Sequence, residues 1–192
     1  MTKVMIRRVQ LKDLDRVAEI EAICFPEAEA ASHKAFEDRI KAFPEYFLIA
    51  EEYGLIIGFI NGCVTNSSVI YDELFISTDG HLPNGNNLAI FGLDVLPEYR
   101  RKGIAAQLMD KFILLAKNTR RKSVILTCKY GLVHYYELFG YVNKGVSKST
   151  HGGAQWFDMT LHDLGHTHAP ILQSQGCIPP EPSIWSCIPK PK

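Results

Sequence analysis

The chain has 192 residues with 21 basic and 21 acidic side chains, so its formal net charge is zero. This length suffices for one domain with its own core plus a tail. The balanced charge gives no argument for binding nucleic acid or a membrane surface, and the longest apolar runs are shorter than a membrane span. Five scattered cysteines do not indicate a disulfide framework. Since the first residues lack the apolar block of a secretory signal, we expect a cytoplasmic protein.

Hydrophobic periodicity divides the chain into strands, with alternating apolar residues, and helices, with apolar residues three or four positions apart. In chain order, the predicted elements are a strand at 4–9, helices at 13–25 and 32–42, strands at 46–51, 55–64 and 88–95, a helix at 104–116, a strand at 123–128, a helix at 132–138, and strands at 141–147 and 154–161. Ser32 is a suitable N-cap, and Tyr53-Gly54 is typical of a hairpin turn. This order predicts a mixed α/β sheet with helices on both faces.

Two segments fall outside this pattern. Residues 65–87 are irregular and rich in turn residues, and a connection of that length in a compact domain is either functional or mobile. From Asp163 onward the periodicity disappears, and six of the ten prolines lie between Pro170 and Pro191. We therefore predict a domain over residues 1–162, followed by a proline-rich C-terminal tail over residues 163–192.

The most informative stretch is LDVLPEYRRKGIAA, at residues 93–106. Pro97 ends the preceding strand because proline has no N–H for a sheet, and the apolar residues after Gly103 recur at helical spacing. The start of a helix presents unpaired N–H groups and the positive end of a dipole, and glycine lets a bulky anion approach. Three cationic side chains add charge at this turn: Arg100, Arg101 and Lys102. The stretch therefore predicts a binding site for a diphosphate.

Two other phosphate-binding loops fit this turn less well. A P-loop requires a second glycine and a Lys-Ser/Thr pair, and the dinucleotide fingerprint requires three glycines. The pattern Arg100-x-x-Gly103-x-Ala105, between a strand and an apolar helix and with Tyr136 further on, resembles the cofactor loop Q/R-x-x-G-x-G/A of the GNAT superfamily of acetyl-CoA-dependent N-acetyltransferases. The resemblance extends from about Met5 to Leu161. It implies the GNAT fold, whose central mixed sheet is mostly antiparallel.

Within this superfamily, the chain is most similar to the arylalkylamine N-acetyltransferase branch. The similar segments are residues 19–25, 36–40, 127–128 and 132–139. In that branch the first two helices and their link form a movable wall over the amine. The branch also carries two strand histidines that are thought to help deprotonate the amine, but this chain has Ala89 and Phe91 at the matching positions. The identity of the base and the aromatic nature of the amine therefore stay open. A second difference is Lys129, which replaces an asparagine that many family members have.

The resemblance also implies the residues that bind acetyl-CoA, as a cosubstrate and without a metal. Leu93, Asp94 and Val95 would run along the pantetheine arm, and the Val95 N–H would stabilise the oxyanion at a bulge in this strand. Tyr136 would face the cofactor sulfur. The diphosphate would be bound by the turn and the start of the helix, at Arg100, Arg101, Lys102, Gly103, Ile104, Ala105 and Ala106.

A physical argument independently favours Tyr136 as the general acid. A phenol of pKa ~10 stays protonated at neutral pH and can donate to a thiolate whose conjugate acid has a pKa of ~8.5. The alternative is a tyrosine that only packs. The acceptor presents the opposite problem, because an alkylammonium of pKa ~10.4 must lose a proton before it can attack. Three side chains could accept that proton through water: Glu73, His81 and Asp94.

The sequence identifies fewer residues for binding the acceptor amine than for binding acetyl-CoA. The expected substrate contacts are Phe25, Glu27, Phe91, Leu93 and Thr127. Glu21 and Glu29, like Glu27, either attract a cationic amine or belong to a solvated acidic face. Cys128 has no activating base nearby in sequence, so we interpret it as a buried small residue. No common metal-binding pattern is matched by the histidines near the tail, His162, His166 and His168.

These features together predict an N-acetyltransferase that transfers the acetyl group of acetyl-CoA directly to a primary amine. The expected acceptor is a small molecule of the arylalkylamine or polyamine type, and the protein is expected to be a monomer or homodimer. Two alternatives stay open. One is a protein or peptide N-acetyltransferase, which needs an open groove. The other is a non-catalytic module that binds acyl-CoA and uses the tail to hold a partner.

Overall fold

The computed structural model describes residues 4–162 and residue 164. The strands of the described chain are β1 (Met5–Arg8), β2 (Phe47–Glu52), β3 (Leu55–Thr65), β4 (Asn87–Val95), β5 (Ser123–Cys128), β6 (Val142–Val146) and β7 (Phe157–Leu161). The helices are α1 (Leu14–Cys24), α2 (His33–Ala42), α3 (Glu73–Ile76), α4 (Ile104–Asn118) and α5 (Val133–Glu137). Apart from Leu164, the predicted tail lies outside the described residues, as do His166 and His168.

These strands form one sheet in the order β1-β2-β3-β4-β5-β7-β6. Neighbouring strands are antiparallel, except that β4 and β5 are parallel. One apolar cluster joins α1 and α2 to β2 and β3, and a second joins α4 and α5 to the strands from β2 to β7. The prediction of a mixed, mostly antiparallel sheet covered by helices is therefore confirmed.

Local signals explain where the first elements begin and end. Helix α1 ends at Cys24, just before Phe25 takes the extended conformation that a following proline requires. The Ser32 hydroxyl accepts the N–H of Ala35 at 3.1 Å, which confirms Ser32 as the N-cap of α2. The β2–β3 turn places Tyr53 and Gly54 at positive φ, as in the hairpin turns that match strand twist.

The connection between β3 and β4 is more ordered than the prediction of an irregular segment suggested. It contains the short helix α3 and folds back onto the sheet. His81 accepts the Val64 N–H through Nδ1 at 3.2 Å, and its ring stacks on Phe43 with the centroids 4.5 Å apart. Arg121 donates to the Gly85 carbonyl at 2.7 Å. These contacts depend on residues distant in sequence, so local periodicity could not reveal them.

A gap inside the sheet positions the functional site. Strands β4 and β5 pair only from Asn87↔Ser123 to Ile90↔Leu126. Beyond Ile90, β4 continues beside β3 alone, and the end of β5 continues beside β7 alone. The β3–β4 register also shifts here, since Asn61 pairs with Gly92 and Gly62 with Ile90, which leaves Phe91 as a bulge. The two central strands therefore diverge like the arms of a V.

None of the helices within the described residues has both the length and the apolar character needed to cross a membrane.

Candidate active site

A cavity of about 390 Å³ lies where β4 and β5 diverge, below the connection between α1 and α2. The cavity is lined by five of the residues predicted for substrate or cofactor contact: Phe25, Phe91, Leu93, Thr127 and Tyr136. Glu27 is solvent-exposed and does not line it. The predicted substrate residues therefore converge on one cavity, with Glu27 outside it.

The open edge of β4 presents backbone groups toward this gap. Leu96 donates its N–H to the Ile57 carbonyl of β3 at 2.9 Å. Backbone groups alternate in direction along a strand, so the N–H groups of Leu93 and Val95 point away from β3, toward the gap. An extended ligand could pair with these groups as an additional strand would.

The turn after β4 has the geometry of an anion site. Gly103 caps α4 in the left-handed conformation at φ 76°, and a Cβ built on it would have no heavy atom within 4 Å. The first bond of the helix runs from the Gln107 N–H to the Gly103 carbonyl. The N–H groups of Ile104, Ala105 and Ala106 precede it and have no helical acceptor. The side chains of these three residues are buried in the core. Their N–H groups point out of the start of the helix, together with the positive end of its dipole.

The cationic side chains at this turn have different roles. Arg100 is directed inward, where Nε donates to the Val95 carbonyl at 2.9 Å and Nη2 lies 3.6 Å from the Cys24 sulfur. The guanidinium thus contacts the end of β4, and the expected role of Arg100 in binding the diphosphate stays a prediction. Arg101 and Lys102 are exposed, and Lys102 Nζ lies 4.9 Å from the centroid of the Tyr99 ring. Their charges remain at the outer face of the turn.

Tyr136, on α5, reaches the cavity from the β5 side. The side chain is buried, and its ring packs edge-on against Tyr135 and Tyr141. Tyr136 lines the cavity, so a ligand bound there could contact this side chain. Burial raises the pKa of this phenol well above its ordinary value, and the nearby Cys128 thiol adds to the effect. The Tyr136 phenol therefore stays protonated at neutral pH.

Two buried thiols line the cavity without being nucleophiles. Burial raises the pKa of Cys128 to about 12 and that of Cys24 to about 12. Only the thiolate is strongly nucleophilic, so both side chains are inert at neutral pH. This agrees with the interpretation of Cys128 as a buried small residue.

Two carboxyl groups meet on the α1 side of the site. A Cβ built on Gly92 would lie 3.2 Å from Asp94 Oδ2 and 3.9 Å from Glu21 Oε2. Glu21 lines the cavity, whereas the side chain of Asp94 is buried behind it and does not. The expectation that the backbone at Asp94 runs along the pantetheine arm stays a prediction. Burial is the main cause that raises the pKa of both carboxyl groups.

The structure separates the three candidate bases. Glu73 is exposed on α3, and His81 packs against Phe43, so neither lines the cavity. Burial lowers the pKa of His81, which is consistent with a neutral ring in that packed position. Asp94 alone of the three is next to the cavity, and Glu21 stands between it and the open space.

Sequence reasoning missed a buried arginine in the cavity wall. Arg39 of α2 donates to the Asn61 side-chain oxygen at 3.0 Å and to the Phe75 carbonyl at 2.8 Å. Its guanidinium lies 4.7 Å from the centroid of the Phe91 ring. Burial lowers its pKa to about 10, which leaves it charged at neutral pH. Its position between Phe36 and Ile40, on the apolar face of α2, was the available signal.

The connection between α1 and α2 is bound to the opposite side of the cavity. Glu29 pairs with Lys129 at 2.7 Å, and its carbonyl contacts His151 Nε2 at 2.9 Å. His151 stacks on Phe75 at 4.5 Å, and Trp156 donates to the His151 carbonyl at 2.9 Å. His151 and Trp156 also line the cavity and were not predicted, because the β6–β7 turn gave no chemical signal.

The described residues include no group of three or more histidine, cysteine, aspartate or glutamate side chains placed to hold a metal ion.

A helix start with open N–H groups, an open strand edge and a buried phenol lie around one gap in the sheet. The family model described as the acetyltransferase (GNAT) family matches residues 14–141, which is more than half of the chain. The chain therefore belongs to the acetyltransferase (GNAT) family, as its cofactor-loop pattern predicted.

Two curated relatives come from Bacillus subtilis (strain 168). The chain is 30% identical over 142 residues to "Probable hydrolase YhcX", covering 70% of this chain and 28% of that protein. It is 28% identical over 137 residues to "Uncharacterized N-acetyltransferase YkwB", covering 62% of this chain and 58% of that protein. The chain thus spans less than two thirds of either relative, and their whole-protein activities do not transfer directly.

Solved structures share the fold at low sequence identity. The loading GNATL domain of CurA from Lyngbya majuscula has a TM-score of 0.73 at 14% identity, covering 83% of this chain and 98% of that one. Arabidopsis thaliana Naa50, in complex with the bisubstrate analogue CoA-Ac-MVNAL, has a TM-score of 0.64 at 16% identity, covering 82% and 97%. Neither these structures nor the two relatives are described as arylalkylamine enzymes, so that branch stays a prediction.

Proposed function

We propose that this protein is an acetyl-CoA-dependent N-acetyltransferase that acetylates a primary amine on a small molecule. The observation that carries the proposal is the gap between β4 and β5. The start of α4 follows the turn after β4 on one side of it, and Tyr136 lines the cavity there. A CoA thioester has an anionic diphosphate at one end and the reacting carbonyl at the other. The gap offers complementary groups in that same order.

Binding of the cosubstrate would use three parts of the chain. The free N–H groups before the first turn of α4 would hold the diphosphate, with Arg101 and Lys102 adding charge. The edge of β4 from Leu93 to Val95 would run along the pantetheine arm, and the Leu93 N–H would bond to one of its amide carbonyls. The CoA seen with Naa50 supports this assignment through the shared fold.

The chemistry would be direct acyl transfer. Bound acetyl-CoA supplies an activated acetyl group as a thioester. The Val95 N–H would stabilise the oxyanion that develops as the amine attacks the carbonyl. Tyr136 would donate its proton to the departing thiolate, which its protonated state allows. Cys128, with its raised pKa, leaves no reason to invoke an acetyl-cysteine intermediate.

The acceptor side favours a small amine with an apolar body. Aromatic side chains surround the cavity at Phe25, Phe75, Phe91 and Trp156, and they would pack against such a body. Glu21 provides a negative group for the ammonium. The link of Glu29 to Lys129 holds the wall over the cavity, whereas a peptide acceptor needs an open groove.

A peptide acceptor is the second candidate, and the peptide-bearing analogue bound to Naa50 is the observation that favours it. The third candidate is an acyl-CoA-binding module without catalysis. The replacement of both branch histidines by Ala89 and Phe91 favours that reading. We also propose that residues 1–162 form the acetyltransferase domain, as the sequence predicted.

An acceptor screen tests these candidates with the full chain. Thiol release from acetyl-CoA would be measured against arylalkylamines, polyamines and peptides, and acetyl-CoA binding would be measured by isothermal titration calorimetry. We expect binding together with turnover on a small amine. Turnover on peptides alone would show that the acceptor is a peptide and not a small amine. Binding of acetyl-CoA without turnover would support the non-catalytic module, and no binding would overturn the proposal.

A further inference from the structure

Glu21 and Asp94 form a buried carboxyl pair next to the acceptor cavity. The two side chains are 5% and 1% exposed. Within the described residues, neither Asp94 oxygen has a hydrogen-bond donor, and Glu21 Oε2 has none either. Glu21 Oε1 accepts the N–H of Ala31 at 2.8 Å. Buried carboxyl oxygens without donors are costly, and a proton held between the two groups is one way to satisfy them.

The groups around the pair determine which carboxyl keeps the proton. The charged and titratable side chains that face it are Arg39 of α2, Cys24 of α1, Arg100 after β4, Tyr136 of α5 and His151 before β7. Arg39 and the Ala31 N–H favour the ionised form of Glu21. Asp94 has no backbone donor and is buried, and burial raises its pKa well above the ordinary value. These contacts favour the proton on Asp94.

We infer that Asp94 stays protonated at neutral pH and donates a hydrogen bond to Glu21, whose carboxylate faces the cavity and takes the proton from the bound acceptor ammonium. Glu21 is the catalytic residue in this inference, and Asp94 is a positioning residue that acts through it. The inference rests on the proposed N-acetyltransferase function, and it names a base that the missing strand histidines left open.

The proton transfer balances without a further reactant. The ammonium N–H bond breaks, its proton moves to Glu21, and the neutral amine forms a C–N bond to the acetyl carbon as the C–S bond breaks. The thiolate takes the Tyr136 proton, and the second proton of the new amide nitrogen restores the phenol. Glu21 releases its proton to solvent afterwards. Buried Arg39 assists the first step, because a nearby cation lowers the pKa of a bound ammonium.

The first experiment follows Asp94 directly and needs no acceptor. Carboxyl-carbon NMR of the labelled full chain would be recorded from pH 4 to 9, with the Asp94 signal assigned from Asp94→Asn. We expect Asp94 to remain protonated at pH 7. An Asp94 carboxyl that is ionised at pH 7 would overturn the inference, whatever the enzyme assays show.

The second experiment compares two acceptors that differ in charge. A primary alkylamine is an ammonium at neutral pH and needs a base, whereas an O-alkylhydroxylamine is already uncharged. Glu21→Gln should lower kcat/KM for the alkylamine ~100-fold, in the range of general base catalysis, and that for the hydroxylamine less than ~3-fold. Glu21→Asp, which retracts the carboxylate, should give an intermediate loss. Asp94→Ala, which removes the donor to Glu21, should move the pH profile of the alkylamine reaction to higher pH. Asp94→Asn keeps a donor and should restore the profile toward that of the wild type.

The matched control is Glu19→Gln on the same helix, since the Glu19 side chain is 58% exposed and does not line the cavity. It should leave both acceptors unchanged. Equal losses on both acceptors in Glu21→Gln would assign Glu21 a structural role and overturn the inference. If the wild type binds acetyl-CoA but acetylates neither acceptor, the proposed function and the proton transfer to Glu21 are both wrong. The NMR titration would still show whether Asp94 or Glu21 holds the proton.

Discussion

Lys129 at the end of β5 forms an ion pair with Glu29 in the connection between α1 and α2, with 2.7 Å between Nζ and Oε1. The two residues are 100 positions apart in the chain. Glu29 is largely buried, while Lys129 is about one-third exposed and also lies 5.8 Å from the Trp156 ring. The pair therefore closes the wall of the cavity against the opposite arm of the sheet, which joins the acceptor side to the thioester side.

Breaking this ion pair should loosen the wall. We expect Lys129→Met to raise KM for the acceptor ~5-fold, because a partly exposed pair contributes about 1 kcal/mol, with a smaller change in kcat. Steady-state kinetics would measure both. Lys144→Met, at an exposed position on β6, is the control and should change neither. Unchanged KM in Lys129→Met, with a normal thermal melt, would show that the wall does not depend on this contact.

The sequence predicts features that depend on neighbouring residues better than contacts between residues that are far apart in the chain. The turn from Pro97 to Gly103 depends on local chemistry, namely a strand-ending proline and a left-handed glycine, and the sequence predicted it. The Glu21–Asp94 pair forms only when α1 packs on β4, and neither residue carries a signal for the other. The resemblance assigned Asp94 to the strand along the pantetheine arm and gave no indication of its side-chain partner.

Arg39 shows a second reason why the site was incomplete at the sequence level. Its neighbours Phe36 and Ile40 belong to the apolar face of α2, so a charged residue at that position contradicts the pattern. The structure resolves the conflict by giving the guanidinium buried acceptors on Asn61 and Phe75. Pattern analysis treats such a residue as an exception, although buried charged groups are often functional.

The hydroxyl of Tyr136 should matter for turnover and not for cofactor affinity. Tyr136→Phe should lower kcat ~100-fold, as expected for losing a general acid, while the Kd for acetyl-CoA stays within about two-fold. Kinetics and isothermal titration calorimetry would separate the two quantities. Tyr130→Phe is the control, because Tyr130 is exposed and lies outside the cavity. A Tyr136→Phe enzyme with normal kcat would leave this tyrosine with a packing role alone.

Gly103 should contribute to coenzyme binding because it has no side chain, in addition to allowing the left-handed backbone. A Cβ would meet no other atom at Gly103 (φ 76°) or at Gly54 (φ 80°), but both residues have a left-handed backbone. An alanine in that conformation costs about 1–2 kcal/mol of stability. Both variants should lose similar thermal stability. Only Gly103→Ala should also weaken CoA binding, ~10-fold, because the methyl group occupies the approach to the helix N-terminus. Equal CoA affinities in the two variants would argue against an anion site at this turn.

Direct transfer predicts that Cys128 can be replaced. Cys128→Ala should retain turnover within about three-fold, because a protonated buried thiol contributes packing and no nucleophile. Cys63→Ala is the matched control, since that thiol is also buried, has its pKa raised to about 12, and does not line the cavity. Mass spectrometry after mixing with acetyl-CoA should find no acetyl group on Cys128, and a stoichiometric acetyl-cysteine would contradict direct transfer.

The carboxyl pair also predicts how stability depends on pH. An aspartate in the unfolded chain titrates near pKa ~3.9, whereas burial and the neighbouring Glu21 raise the pKa of folded Asp94 well above this value. Between these two pKa values the folded protein binds more protons than the unfolded chain. The free energy of unfolding therefore falls as pH rises through this window, and each unit between the two values costs about 1.4 kcal/mol.

Asp94→Asn removes this ionisation while keeping a group that can donate to Glu21. We expect the variant to gain stability relative to the wild type as pH rises from 5 to 8, with the gain measured as the difference in unfolding free energy from urea titrations at the two pH values. A smaller slope with pH should remain, because the pKa of Glu21 is also raised by its burial. Asp79→Asn, at an exposed position in the β3–β4 connection, should follow the wild-type slope. Parallel curves for Asp94→Asn and the wild type would mean that Asp94 titrates alike in the folded and unfolded chains, and the asymmetric pair would then have no basis.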